Sequence, residues 1–211
     1  MKYTQQRASM TSGRQILQIG NDTVVSSSPH THGFLPWQPS TWPDPPAMID
    51  ANFICVLERI LKESILDEIG NVIEDAKKSN NGLQHRGHVV GLALMCSLDA
   101  ISAYGYRAQS KTYMADFISK HFPPEYKQYA GRFYHIYRAS LVHSWNLFEA
   151  TLFPGNESIC NTQGVLSFGL LHFFGALNEA VEDFLGQLKS DAKLQANVLT
   201  RYTSLKKTAR S

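Results

Sequence analysis

The 211-residue chain is short of charge, of cysteine and of long apolar runs, and each shortage removes a class of protein. Only 18% of its residues are Asp, Glu, Lys or Arg, and the formal net charge is +2. That is too little charge for a disordered chain and too little excess for a polycation that coats nucleic acid, so any contact with nucleic acid has to be local. The three cysteines, Cys55, Cys96 and Cys160, stand apart without a CxxC pair. They make no disulfide framework and fit a reducing compartment; Cys55 and Cys96, inside apolar runs, read as small hydrophobes. The opening Met1-Lys2-Tyr3-Thr4-Gln5 has no apolar centre of a secretory leader, and no uncharged apolar stretch reaches the ~20 residues that span a bilayer. The expected location is the cytoplasm, with no membrane contact, and Asn156-Glu157-Ser158 is then an incidental glycosylation pattern. GxGxxG, Walker, HExxH and GxSxG signatures are also missing, as is any internal repeat, so no cofactor is expected.

What the chain does have is 43% hydrophobic residues, enough for a sizeable core in one domain. Residues 1–46 form an irregular arm. Ile16–Ile19 and Thr23–Val25 flank Gly20-Asn21-Asp22 as in a short hairpin, and Pro29, Pro36, Pro39, Pro43, Pro45 and Pro46 then forbid a helix. Trp37 and Trp42 in that stretch are costly to leave in water, so the arm is expected to lie against the domain or a partner subunit. Residues 47–211 read as all-α, a bundle of about five or six helices joined by short connections.

The first helix is expected from Asp50 to about Lys78, on Phe53, Leu57, Ile60, Leu61, Ile65, Ile69, Val72 and Ile73, with Ser79-Asn80-Asn81-Gly82 as its stop. His88 to Tyr104 is apolar almost all round and belongs in the middle. A short helix runs from about Thr112 to His121 and ends at Pro123-Pro124. Glu125 to Phe148 carries a stripe of Tyr126, Tyr129, Phe133, Tyr137, Leu141, Trp145 and Phe148, and Val165 to Leu188 is again periodic. Ser190-Asp191 can cap a last helix bearing Leu194, Val198, Tyr202 and Leu205. Lys206, Lys207 and Arg210 look like a small solvated basic tail.

Most histidines suit ordinary roles. His30 and His32 form an HxH pair without a third ligand nearby, and His85 and His88 flank a helix start. His172, among Leu170, Leu171, Phe173 and Phe174, reads as a hydrogen-bonded core histidine. His88 and Asp99 share a helix face but stand about 16 Å apart, too far for one ligand.

The segment Tyr134 to Ser144 is different, because it holds Arg138 and His143 in an Arg-x4-His pattern on an amphipathic stripe. With Tyr137 at the stripe's centre, Arg138 falls about 100° to one side and His143 about 120° to the other, at edges that face seams between helices. A guanidinium matches phosphate oxygens, and an imidazole moves protons near neutral pH. Together they are sufficient for metal-free RNA cleavage in which the 2′-hydroxyl attacks.

Ile136-Tyr137-Arg138-Ala139-Ser140-Leu141-Val142-His143 resembles the Arg-x(4–6)-His signature of the HEPN superfamily, helical bundles common in prokaryotic toxins and defence systems. The flanking order is similar too: the apolar helix Gly87 to Tyr106, then Phe117-Ile118 through Phe122-Pro123-Pro124-Glu125-Tyr126, then the motif. The likeness spans roughly residues 50 to 190 and leaves the arm uncovered. It implies a metal-independent endoribonuclease acting on RNA as a homodimer, with Arg138 binding phosphate, His143 giving or taking the proton, and two such pairs meeting at the subunit interface. A dimer also suits the geometry, since five residues along one helix separate the pair by about 140° and ~7.5 Å. The family often has a polar residue after the arginine, and here it is Ala139. Asp99 is a candidate third polar member, with buried helix pairing as its other reading. A second class of function fits the same chain: a noncatalytic helical dimerisation module that binds a protein partner through the Trp37/Trp42 arm.

Overall fold

The computed structural model describes residues 42–79, 82–107, 109–110, 112–135 and 150–209. The chain divides into two units, Met1–Gly33 and Phe34–Ser211, and every described residue belongs to the second. The hairpin expected at 16–25 and Trp37 lie outside the described residues.

The first expected helix forms in two lengths, α1 (Ala51–Leu61) and α2 (Asp67–Lys78), joined without a break by a π-helical turn at Lys62–Leu66. Asp50 opens it by accepting a hydrogen bond from Phe53 N at 2.7 Å. The π-turn has a sequence reason. Ile60 and Ile65, like Leu61 and Leu66, are five residues apart, and all four are buried. In a regular α-helix a five-residue step rotates a side chain by about 140°, and the wider turn takes up that surplus. Cys55 falls between Phe53 and Leu57 on the opposite side and is exposed, as is Cys96, so neither is the core hydrophobe expected of it.

Helix α3 (Gly82–Tyr106) is the central element and packs against α2 and α4 (Tyr113–His121), among others. Its window Arg86–Tyr106 is long and apolar enough to cross a membrane by composition, with mean hydropathy 1.4, yet 61% of it is buried inside the protein. Val90, Leu94, Leu98 and Ile101 are completely enclosed. By that burial it is a core helix, apolar all round because it is surrounded by other elements.

The structure departs from an all-α bundle after α4. The stretch expected as one helix from Glu125 begins as two short turns, α5 (Pro124–Lys127) and α6 (Ala130–Phe133). Pro124 sits at the first helical position, where its missing N–H costs nothing. Residues 136–149 lie outside the described set. Then three strands appear: β1 (Ala150–Phe153), β2 (Cys160–Thr162) and β3 (Val165–Gly169), in the order β1-β3-β2. β1 runs parallel to β3, while β2 pairs with it antiparallel across the two-residue turn Gln163-Gly164. Both turn residues have positive φ, 52° and 86°, as a tight hairpin requires. The expected helix from Val165 therefore starts only at Leu170, giving α7 (Leu170–Leu188). Gly169 is needed at that junction because a Cβ would stand 2.4 Å from Gly155 O and 2.5 Å from Glu157 N. Among the described residues the fold is thus eight α-helices with a small mixed sheet.

The last helix, α8 (Ala192–Thr208), is capped as expected by Asp191, whose Oδ1 accepts from Leu194 N at 2.9 Å. Its inner face continues through Val198 and Tyr202 to Lys206, which is buried and is not part of a solvated tail. The Lys206 ammonium donates to the carbonyl of Trp42, and the Tyr202 hydroxyl donates to Pro43 O at 2.9 Å. The Trp42 indole stacks on Tyr202 with centroids 5.3 Å apart, and Phe53 meets the same phenol edge-on at 4.9 Å. Trp42, expected in an appended arm, is a core residue only 3% exposed. Burial pushes the Tyr202 phenol up to about 12, so it stays a neutral donor.

Trp42→Ala removes the indole that covers Tyr202 and Phe53. It is expected to lower stability by about 3–5 kcal/mol, read as an earlier urea midpoint with an unchanged m-value. Trp42→Phe should restore most of the loss.

Candidate functional site

Arg138 and His143, the residues expected to carry chemistry, fall in 136–149 and lie outside the described residues, together with Ala139, Ser140, His30 and His32 and the side chain of His85. The structure describes how the flanks of that segment are held. Before it, Phe133 is enclosed, stacked on Phe173 at 5.5 Å and tilted against Phe168 of β3 at 5.7 Å. Arg132 donates to Gly164 O at 2.8 Å, in the turn that leads into β3. After it, Ala150 is buried and pairs with Leu166, again of β3. The described residues on both sides of the motif are thus held against β3 and the turn before it.

Three polar links tie the surrounding helices together. The longest is a relay. Tyr106 at the end of α3 meets His121 Nε2 at 2.7 Å, and His121 Nδ1 meets Asp183 Oδ2 of α7 at 2.6 Å. A carboxylate only accepts, so Nδ1 carries the imidazole proton, Nε2 accepts, and the Tyr106 hydroxyl donates. Gln187 donates to the same carboxylate oxygen at 2.8 Å. The imidazole has no solvent exposure, and burial depresses its proton affinity more than Asp183 restores it. Burial, aided by the nearby Asp191, Asp116 and Asp183, raises the Tyr106 phenol above its usual range. An open groove of about 530 Å³ lies alongside, lined by Tyr106, Gln109, Ser110, Asp116, Ser119 and Lys120. The relay resembles a nucleophile–imidazole–carboxylate array only in order. Its phenol is hard to ionise and its donor proton is already committed, so it acts as a bolt joining α3, α4 and α7.

The second link is Tyr126 to His172 Nδ1 at 2.7 Å, so His172 is hydrogen-bonded as expected, though half-buried and not in the core. The third is Tyr113, which donates to Asp99 Oδ1 at 2.6 Å and joins the start of α4 to the middle of α3. That bond is a contact between helices, as the pairing reading of Asp99 expects. His88 is exposed. Among the described residues no group of three or more His, Cys, Asp and Glu is placed to hold a metal ion. Sequence reasoning passed over His121 and Asp183, because 62 residues separate them and no spacing rule joins them.

Comparison of the chain with protein families, with curated proteins and with solved structures finds no match.

The relay makes stability depend on pH with a definite sign. The unfolded chain has an imidazole near 6.5 and the folded one lies lower, so protons bind the unfolded state more readily. The contribution is present above about pH 6.5 and is lost as pH falls through the folded value, with Asp183, Lys120 and Lys127 as the charges facing the ring. The melting temperature is expected to drop between pH 7.5 and 5. His121→Gln, which does not titrate, should start lower at pH 7.5 and lose a distinct part of that slope.

Proposed function

We propose that the chain is a HEPN-like, metal-independent RNA endonuclease of the kind used as a cytoplasmic toxin or defence effector. The observation that carries this reading is the Arg138/His143 pair in its Arg-x4-His spacing. Support comes from the mainly helical architecture and from the two anchored flanks, Phe133 and Ala150, which make the motif's neighbours part of a packed core. In the proposed mechanism Arg138 holds and neutralises the scissile phosphate. His143 takes the 2′-hydroxyl proton or protonates the 5′-leaving oxygen, and the pair in a second subunit supplies the complementary group. The 2′-oxygen bonds to phosphorus as the P–O5′ bond breaks, which leaves a 2′,3′-cyclic phosphate and a 5′-hydroxyl. No electron or co-reactant is consumed.

The test is incubation of wild-type protein with single-stranded and structured RNA, with and without excess EDTA. Cleavage is expected to persist in EDTA and to leave cyclic phosphate ends. Arg138→Ala or His143→Ala should each cost about 10²–10⁴ in rate, with the double mutant scarcely slower than the worse single one. Cleavage abolished by EDTA discards this mechanism. No cleavage under any condition puts the noncatalytic dimerisation module ahead. Light scattering supplies an independent check, because a monomer at micromolar concentration is incompatible with a composite site.

A further inference from the structure

A second place in the molecule carries unspent polar capacity. Among the described residues, the Tyr104 hydroxyl and Arg201 Nε are buried side-chain polar atoms with no hydrogen-bond partner. Tyr104 is 2% exposed. The two belong to neighbouring helices that are fixed against each other. Asn197 of α8 donates to Gly105 O of α3 at 2.8 Å, and a Cβ on Gly105 would come within 2.9 Å of Leu194. Arg201 follows Asn197 by one helical turn on the same face. The charged and phenolic groups whose fields act on it are Arg107 on the turn after α3, Tyr104, Tyr113 and Asp99. Of these, Asp99 is the one acid, and its Oδ1 already accepts from Tyr113. Two guanidinium groups against one carboxylate leave about one positive charge.

We propose that Arg201, Arg107 and the Tyr104 hydroxyl form a binding site for a single phosphate group. The chemistry follows from what each group lacks. Arg201 presents a planar fork with no carboxylate on it, and a phosphate offers two oxygens at the matching spacing. Tyr104 has a hydroxyl proton to give and nothing to receive it, and its phenol is held above the usual range by burial, so it remains a donor. Withdrawal from water and the like charge of Arg107 both lower the proton affinity of the Arg201 guanidinium. An anion reverses both penalties, and the local excess of one charge suits the single negative charge of a phosphodiester. Free phosphate and a nucleic-acid backbone share this group. The proposed site uses neither Arg138 nor His143.

The experiment titrates wild-type protein with inorganic phosphate and, separately, with a fluorescent 2′-O-methyl oligoribonucleotide, whose blocked 2′-oxygen cannot attack. Binding is then read without cleavage, and a protein that cleaves no RNA can still pass. Binding of both probes, with phosphate competing, identifies the isolated anion as sufficient; binding of the oligonucleotide alone identifies the backbone as the source. In either case Arg201→Met should weaken binding at least tenfold and reduce the salt slope by about one. The ligand-free melting temperature of Arg201→Met should equal or exceed wild type, because methionine fills the space without an unpaired charge. Arg201→Lys keeps the charge but loses the fork, and it should also bind more weakly while remaining folded. Failure of wild type to bind either probe overturns the proposal, as does unchanged affinity in both Arg201→Lys and Arg107→Gln.

Discussion

The ring of Phe173 is the contact on which the rest of the fold leans. It stacks on Phe168 of β3 at 4.8 Å and on Phe133 of α6 at 5.5 Å, and it meets Phe122 and Tyr126 at 5.5 and 5.6 Å. One side chain on α7 therefore fixes the end of α4, both short turns after it, and the sheet. Helices as short as α5 and α6 have no stability of their own, since nucleation outweighs the few hydrogen bonds they make. Their conformation is imposed by rings that prefer offset or edge-on neighbours, each such pair adding about 0.5–1.5 kcal/mol beyond the area it buries. Loss of Phe173 would leave Phe133 and Phe168 facing a void, and the segment between Phe133 and Ala150 would lose its first anchor.

Around this apolar centre the polar groups follow one pattern. Phenols at the edge of the core bond to partners on other parts of the chain: Tyr106 donates to His121, Tyr113 to Asp99 and Tyr202 to Pro43 O, and Tyr126 shares a hydrogen bond with His172. In a low-dielectric interior such pairs are satisfied in only one arrangement of the helices, so they specify packing that apolar contact alone would leave degenerate. Tyr104 is buried as deeply and has no such partner. Its exception is informative because the surrounding tyrosines obey the rule.

The long helices were legible in the residues. The three- and four-residue steps, Asp50 and Asp191 as caps, and Ser79 as a stop place α1, α2 and α8 within a residue or two. The apolar circumference of α3 also announced its central position. The sheet was missed because Val165, Phe168 and Leu171 keep helical spacing by coincidence, and strands of three to five residues give periodicity little to work with. The usable signal was Gln163-Gly164 between Thr162 and Val165, a two-residue turn ahead of an apolar run. Trp42 reads with the neighbouring prolines because its partners Tyr202 and Lys206 are about 160 residues away. The relay was invisible for the same reason. Arg138 and His143 are legible as a pattern, while their surroundings fall outside the described residues.

The two readings of function draw on different resources, and the core changes their balance. A docking arm needs exposed aromatic anchors, since buried aromatics at an interface supply most of its energy. Trp42 is already spent inside the protein, stacked on Tyr202 and tied by its carbonyl to Lys206, which leaves the arm with Trp37. Phosphate binding needs cations that are not already neutralised. Several lysines are paired, Lys62 with Glu58 and Glu182, Lys77 with Glu74 and Lys120 with Asp191. With a net charge of only +2, long-range attraction contributes little, and affinity for an anion has to come from a few preorganised arginines. A half-buried guanidinium without a carboxylate is the form that requirement takes, because it gains from an anion what a solvated lysine, already satisfied by water, does not.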